Sequence, residues 1–315
     1  MSGRLIDDNI NAHYLPSPRR VPVLRGGNLM KAPSDLSNQR GKMEPLFLEN
    51  GVTKNATSEK TLRSNASYQF VNFTDCVRTL TSPVLLVTTN YGFFNLTLNL
   101  LYSIQRLSMQ PKILILCEDR TVYVELWKRQ INFGLKFQLT LTHLEESDTI
   151  AASRNTPTYY RIMQKRISYL EILLQRGLDV FFVDSDIVLL ANPFKYFTDD
   201  NSDIFVQRDV KIACAGFFYM KANNSSKNFV EAWKRALPKD PKGNQKTFNK
   251  VIKELGKNIK VNRLPKELFM SGSEYNKFQK GWPTPQPVEV HANYMIGKDT
   301  KENWLKKYKL WFVPD

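Results

Sequence analysis

The sequence predicts an α/β protein with a mostly parallel sheet, helices on both faces of that sheet, and a disordered N-terminal stem. From residue 82 onward, short continuous apolar runs alternate with segments of helical periodicity. This alternation is typical of parallel strands that are buried on both faces. Residues 1–78 are rich in Pro, Ser, Asn and Arg and show little periodicity, which predicts disorder. We therefore expect a tail or stem over 1–78 and one folded domain over 79–315.

The first predicted elements follow one another in regular order. SPVLLVTTN (82–90) is an apolar, β-branched run that predicts a buried strand. FNLTLNLLYSIQRL (94–107) carries a helical stripe of apolar residues. PKILILCED (111–119) predicts a second strand, TVYVELWKRQI (121–131) a helix and LKFQLTLTHL (135–144) a third strand.

A long amphipathic segment, TPTYYRIMQKRISYLEILLQRG (156–177), predicts a helix that ends at Gly177 and leads into VFFVDSDIVLLANPF (180–194). In open parallel sheets, ligands bind beyond the carboxyl ends of the strands. Polar residues fall at those predicted ends: Thr88, Thr89, Asn90, Glu118, Asp119, Asp184 and Asp186.

Asp184 and Asp186 are the most informative pair. In an extended chain, residues two apart point to the same side, so these carboxylates can converge. Converging carboxylates raise one another's pKa unless a cation lies beside them, and their oxygens suit Mg²⁺ or Mn²⁺. The alternative is a capped turn, in which each carboxylate accepts backbone N–H groups ahead of Asn192-Pro193.

Net charge and cysteine content restrict the class of protein only loosely. The 315 residues carry a formal charge of +15, which fits either a solvated lysine-rich surface or a surface that binds anions. Three scattered cysteines, Cys76, Cys117 and Cys214, are too few for a disulfide framework or a zinc site. No interleaved basic and aromatic motif indicates nucleic-acid binding, so we expect no nucleic-acid partner.

Glycosylation sequons indicate the compartment. Asn-X-Ser/Thr occurs at Asn55, Asn65, Asn72, Asn95, Asn223 and Asn224. The cluster within residues 55–74 is typical of a glycosylated stalk in a secretory lumen. The first 80 residues contain no signal peptide and no apolar segment that could span a bilayer. Either an N-terminal membrane anchor is missing from this chain, or the protein is soluble and the sequons are accidental.

Several ordered blocks together resemble one family, the nucleotide-diphospho-sugar transferases with the GT-A fold, which are related to plant cell-wall xylosyl- and arabinosyltransferases. The resemblance covers roughly residues 82–315. Its blocks are TTNYGFFNLTLNLLYSI, LLQRGLDVFFVDSDIVLLANPF, GFFYM (216–220), NQKTFN (244–249), LPKELFMSG (264–272) and HANYMIGKDTK (291–301).

The resemblance implies a metal-dependent retaining glycosyltransferase of the Golgi or secretory lumen. Such an enzyme moves a sugar from a nucleotide diphosphate, here expected to be UDP, to a glycan or glycoprotein. Asp184, Asp186 and His291 would hold Mn²⁺ or Mg²⁺, and for His291 the block around it favours this role over that of a structural histidine. A membrane contact is expected only through an N-terminal anchor.

The resemblance also implies roles for donor-binding and catalytic residues. Thr88, Thr89 and Asn90 would line the base and ribose pocket. Lys298 or Lys301 would meet the phosphates, and Arg161 would face the donor, yet all three also suit a solvated surface. Gln245 is expected near the anomeric carbon, next to Asn244. The residues expected to act in catalysis are thus Gln245, Asn244 and Asp186.

Two positions depart from the family pattern. Asn244 stands where an aspartate is usual, and Cys214 stands where an asparagine is usual. Either change could redirect or weaken turnover, so a relative that binds nucleotide sugar or glycan without transferring it is the main alternative. A basic nucleic-acid-binding or two-metal phosphoryl-transfer protein is a third hypothesis, which the sequons oppose.

Overall fold

A computed structural model describes residues 70–130, 133–142, 157–237, 243–281 and 285–314, and these belong to one compact unit, Ser64–Asp315. Helix α1 (Phe73–Thr79) lies before the boundary expected at residue 79, and its Cys76 and Val77 are buried, with the Cys76 Sγ 3.5 Å from the Leu139 carbonyl. Residues 1–69 lie outside the described residues, and the stem predicted there stays a prediction. No helix in the described residues is both long and apolar enough to span a bilayer.

The α/β prediction is confirmed. In chain order, the elements before the aspartate pair are β1 (Val84–Thr89), α2 (Phe94–Arg106), β2 (Lys112–Cys117), α3 (Arg120–Gln130), β3 (Phe137–Leu141), α4 (Pro157–Gln175) and β4 (Val180–Val183). Gly177, at a left-handed φ of 79°, follows α4 and turns the chain toward β4, as the sequence predicts.

The second half of the chain contributes six strands and four α-helices among the described residues. They are β5 (Ile187–Leu189), β6 (Ile204–Asp209), β7 (Ile212–Met220), α5 (Asn224–Ala236), α6 (Asn244–Leu255), β8 (Val261–Arg263), β9 (Phe269–Ser271), α7 (Gly272–Phe278), β10 (Glu289–His291) and α8 (Lys298–Lys307). Short 3₁₀ turns lie at 91–93, 193–196 and 256–258.

A seven-stranded sheet in the order β3-β2-β1-β4-β7-β6-β8 forms the centre. Its strands are parallel except β7, which runs antiparallel to both β4 and β6. Alternate residues of β1 enter two different apolar clusters: Leu85 and Val87 face one side, and Val84 and Leu86 face the other. Apolar packing on both faces explains why the strands are continuous apolar runs.

A second sheet of three strands, in the order β5-β10-β9, lies beyond the carboxyl end of β4. Strand β10 is antiparallel to β5, so that His291 pairs with Ile187. A third apolar cluster covers this sheet and includes Val188, Val290 and Trp304 of α8. The small sheet thereby holds the last part of the chain against the segment that carries the two aspartates.

Candidate active site

Asp184 and Asp186 lie in a tight turn between β4 of the large sheet and β5 of the small sheet. The Ile187 N–H donates to the Asp184 carbonyl (3.2 Å), and the Asp184 N–H donates to the Gly216 carbonyl (2.7 Å). The sequence argument assumed an extended chain here, and this was wrong, because the backbone turns so that β5 can join the other sheet. The turn still brings both side chains to the carboxyl edge of β4.

His291 completes a cluster with the two aspartates. Its Nε2 lies 3.3 Å from Asp186 Oδ1 and 4.0 Å from Asp184 Oδ2. One ligand atom from each of the three residues lies within 4.8 Å of the others. The pairing of β5 with β10 fixes this proximity, since the Ala292 N–H also donates to the Asp186 carbonyl (3.0 Å).

Two cations, the buried Arg166 and the partly buried Lys301, flank the carboxylates. Arg166 of α4 donates from Nη1 to Asp184 Oδ1 (3.0 Å), and its guanidinium lies over the Phe182 ring. The Lys301 ammonium contacts Asp186 and donates to the Ala292 carbonyl (2.8 Å). The carboxylates therefore accept from side-chain cations, which does not match the capped-turn alternative.

The charged groups of this cluster shift one another's pKa values. Burial alone would raise the pKa of Asp186, but the Lys301 ammonium and the His291 ring outweigh burial, so that this pKa lies below its ordinary value. Burial would lower the pKa of His291, but the adjacent Asp186 carboxylate outweighs that effect and raises the pKa well above its ordinary value. In the absence of another cation, the imidazolium and the ammonium balance the carboxylates.

A buried polar chain lies behind His291. The Nδ1 of His291 is 3.1 Å from Gln207 Oε1, and Gln207 Nε2 donates to Glu289 Oε2 (2.9 Å). Gln207 and Glu289 are fully buried, and burial raises the pKa of Glu289 well above its ordinary value. Sequence reasoning missed both residues, although a polar residue inside a buried apolar strand is a usable signal. If His291 donates its Nδ1 proton to Gln207 Oε1, its Nε2 is the nitrogen that faces the two carboxylates.

Gly216 provides room for the cluster. A Cβ atom at this position would lie 2.1 Å from Asp184 Oδ2 and 3.0 Å from His291 Cε1. Only a residue without a side chain can pass between the carboxylate and the imidazole here. The neighbouring Cys214 is buried, with its Sγ 3.6 Å from His291 Nδ1.

Thr88, Thr89 and Asn90 lie at the end of β1, beside the end of β2. Thr89 Oγ1 is 2.7 Å from Thr97 Oγ1, and Thr88 Oγ1 has no hydrogen-bond partner among the described residues. At the end of β2, Asp119 is buried and accepts from the Tyr91 N–H (2.7 Å) and the Val122 N–H (2.9 Å). This edge thus offers polar atoms next to β4.

Asn244 and Gln245 open helix α6 and pack against β7. Gln245 Nε2 donates to Asp209 Oδ2 (2.5 Å), and Gln245 Oε1 lies 3.4 Å from the Ala215 N–H. Asn244 is buried, and its Oδ1 has no partner in the described part of the chain. Asp209, which sequence reasoning also missed, places a carboxylate next to Gln245 although position 244 lacks one.

Two predicted donor-binding residues are not brought to the carboxylates. Arg161 lies exposed in the first turns of α4, and Arg166 of the same helix is the arginine that reaches Asp184. Lys298 is partly exposed at the start of α8 and has Asp299 as its ion-pair partner at 3.9 Å, whereas Lys301 points into the cluster.

The two lysines of α8 give a matched test of this electrostatic arrangement. We expect Lys301→Met to lower the free energy of unfolding by about 2–4 kcal/mol, because it leaves the buried Asp186 carboxylate without its closest cation. Lys298→Met should change it by less than about 0.5 kcal/mol. Urea denaturation of the metal-free protein measures both values. Equal effects would show that Lys301 does not balance Asp186.

Comparison with known proteins identifies a family. The model of the family described as "Nucleotide-diphospho-sugar transferase" matches residues 108–305. UDP-D-xylose:L-fucose alpha-1,3-D-xylosyltransferase 3 of Arabidopsis thaliana is 24% identical over 86% of this chain and 77% of its own length. UDP-galactose:fucoside alpha-3-galactosyltransferase of Dictyostelium discoideum is 25% identical over 72% of this chain, but the match spans only 42% of that relative.

The fold agrees with that of a solved glycosyltransferase structure. The galactosyltransferase LgtC, solved with donor and acceptor sugar analogs, superposes with a TM-score of 0.50 at 10% identity, over 74% of this chain and 97% of its own. Matches to other solved glycosyltransferase structures span 52–65% of those chains. The predicted GT-A fold and the predicted glycosyltransferase class are confirmed. The chain belongs to the nucleotide-diphospho-sugar transferase family.

Proposed function

We propose that this protein is a divalent-metal-dependent, retaining glycosyltransferase that moves a sugar from a UDP-sugar to a glycan or glycoprotein. The observation that carries the proposal is the cluster of Asp184, Asp186 and His291 at the carboxyl edge of β4. In open α/β sheets this edge is where ligands bind. The family membership supplies the class of donor, a nucleotide diphospho-sugar.

The residues of the cluster suit a divalent cation. Two carboxylates and an imidazole form a hard oxygen and nitrogen donor set of the kind that Mn²⁺ accepts. Their ligand atoms lie within 4.8 Å of one another, and Gly216 lets the Asp184 carboxylate lie where a Cβ atom would otherwise clash with it. When bound, such a cation supplies Lewis-acid stabilisation of the negative charge on a leaving diphosphate.

The residues around the cluster would bind and orient the donor. Arg166 holds the Asp184 carboxylate in place through a 3.0 Å hydrogen bond, and the Lys301 ammonium adds positive charge beside Asp186. The Thr88 hydroxyl, which has no partner among the described residues, would meet the nucleoside together with Thr89 and Asn90. These groups fix the position of the diphosphate before any bond breaks.

Gln245 would lie at the reacting carbon. Asp209 and the Ala215 N–H hold the two ends of its side-chain amide, which restricts the amide to one orientation. Positive charge that develops at an anomeric carbon is stabilised by a polar or anionic group held nearby. We therefore assign Gln245 to this role, with Asn244 beside it and Asp209 as the nearest carboxylate.

The proposal also covers the acceptor and the cellular location of the protein. Relatives from Arabidopsis and Dictyostelium are named for transfer to fucose or a fucoside, so a fucosylated glycan is the acceptor that we propose to test first. Sequons at the exposed Asn72, Asn95 and Asn224 support a secretory-pathway location, including the Golgi.

A second candidate function is binding of nucleotide sugar without transfer. The observation that favours it is Asn244, a buried amide at the position where the family usually has an aspartate. Both candidates require donor binding, and only the first requires hydrolysis or transfer. Donor hydrolysis above the level of an Asp186→Asn variant separates them.

Donor binding should stabilise the folded protein. With Mn²⁺ present, we expect UDP-xylose or UDP-galactose at about 100 times its Kd to add roughly 2.7 kcal/mol to the free energy of unfolding. Asp186→Asn should abolish this gain, and Asp299→Asn, which changes an exposed carboxylate, should keep it. The measurement is the thermal midpoint with and without ligand. No stabilisation of the wild type by any UDP-sugar would contradict the donor assignment.

Gly216 gives a second test that does not depend on activity. Gly216→Ala places a methyl group against the Asp184 carboxylate, so we expect the Kd for Mn²⁺ to rise at least about 10-fold. Gly134→Ala is the matched control, since its nearest neighbour is Gln105 Nε2 at an ordinary 3.5 Å. Electron paramagnetic resonance of free Mn²⁺ reports both values. Unchanged affinity in Gly216→Ala would exclude metal binding at this cluster.

A further inference from the structure

An apolar rim lies beside the candidate active site. Among the described residues, a few large apolar side chains are exposed, and four of them lie on two short segments, 210–212 and 294–296. They are Val210 (57% exposed), Ile212 (38%), Tyr294 (53%) and Ile296 (90%). A cluster of exposed apolar side chains beside a site is typical of a surface that binds a ligand or a partner.

The first segment is the turn between β6 and β7, and it lies at the same edge as the aspartates. Strand β7 is antiparallel to β4, with Val183 opposite Phe217 and the Asp184 N–H bonded to the Gly216 carbonyl. Toward its start, β7 therefore extends past Asp184. Ile212 precedes Gly216 by four residues, a span of roughly 14 Å in a strand. The turn therefore lies beyond the cluster at the same edge of the sheet, within the length of a short oligosaccharide.

The second segment follows His291 directly and is tied to the first. The Tyr294 hydroxyl contacts the Asp209 carboxylate, and Asp209 pairs with Ile212 at the base of the hairpin. Tyr294 and Val210 both have left-handed backbones, with φ of 66° and 57°. The positive φ of Val210 belongs to the two-residue hairpin turn between Asp209 and Ile212, and that of Tyr294 is uncommon for a residue other than glycine.

Asp209 also connects the rim to the reaction side. One of its oxygens accepts from Gln245, and the other contacts Tyr294. The carboxylate thus holds the exposed tyrosine and the proposed anomeric-side amide in fixed relative positions. A molecule that lies on the Tyr294 ring would therefore be placed next to the carbon at which transfer occurs.

We propose that Tyr294, Val210 and Ile212 form the acceptor subsite and select a 6-deoxy sugar through its methyl group. The proposal rests on the function proposed above. An exposed ring binds the apolar face of a pyranose, and aliphatic side chains bind a methyl where other hexoses carry a hydroxymethyl group. A fucosyl residue has this chemistry, and the continuity of the rim with the active site favours it over a protein partner.

A pair of acceptors that differ in one hydroxyl tests the subsite. Methyl α-L-fucopyranoside and methyl α-L-galactopyranoside differ only in the 6-hydroxyl group. With Mn²⁺ and a UDP-sugar, we expect the wild type to prefer the fucoside by about 10-fold or more in kcat/KM, the range in which apolar pockets discriminate such pairs. Ile212→Ser and Tyr294→Ala should each reduce this ratio toward one. The ratio of the two kcat/KM values is measured within each variant. A lower amount of folded protein affects both values equally and therefore leaves the ratio unchanged.

Matched variants and a binding measurement complete the design. Ile172→Ser removes a similarly exposed isoleucine (37%) from α4 and should keep the preference. Tyr294→Phe keeps the aromatic ring and should retain more of the preference for the fucoside than Tyr294→Ala. Saturation-transfer NMR of the two glycosides on the protein with Mg²⁺ and UDP shows whether the fucoside methyl is contacted, even if no transfer occurs.

Different results would contradict the proposed function and the proposed acceptor subsite. Absence of UDP-sugar binding contradicts the proposed function, and the NMR experiment still decides the subsite. Equal use and equal binding of both glycosides by the wild type, or an unchanged preference in Ile212→Ser and Tyr294→Ala, overturns the subsite while leaving donor chemistry intact. Dimerisation that is lost in Ile212→Ser, without any glycoside effect, would assign the rim to a second copy of the chain and also overturn it.

Discussion

The arrangement depends on one electrostatic constraint: a buried carboxylate at Asp186 must be balanced by cations from a distant part of the chain. Lys301 and His291 supply that balance, and both lie more than 100 residues after Asp186. An unpaired charge in this place would cost several kcal/mol. The small sheet satisfies the constraint, since the pairing of β5 with β10 sets His291 against the turn and α8 covers the sheet with Lys301 facing inward.

The same edge gathers the rest of the site. The apolar faces of β1 and β4 are covered on both sides, so that polar groups can meet only beyond the strand ends. Strand β7 runs against β4 and brings Gly216 between the carboxylate and the imidazole. Asp209, at the neighbouring hairpin, then holds Gln245 and Tyr294. The geometry thus places the cluster of Asp184, Asp186 and His291, the Gln245 amide and the apolar rim along one edge of the sheet.

Sequence reasoning predicted the parts of the site that follow from local pattern. The strand ends placed Asp184 and Asp186 correctly, and the resemblance pointed to His291 and Lys301. The sequence did not point to Arg166, Gln207 or Asp209. Their contacts depend on which face of a helix and which residues of a strand turn toward the cluster, and local pattern does not determine this. Arg161 and Arg166 illustrate the limit: both are on α4, and only the direction of the helix toward β4 selects the second.

The measurement that tests the central claim most directly is anomalous diffraction from crystals grown with Mn²⁺ and UDP. We expect one manganese peak bounded by Asp184, Asp186 and His291, with the diphosphate of UDP on its open side and the nucleoside toward the end of β1. A manganese ion bound elsewhere, or UDP bound with this cluster closed by Lys301 and no metal, would contradict the account.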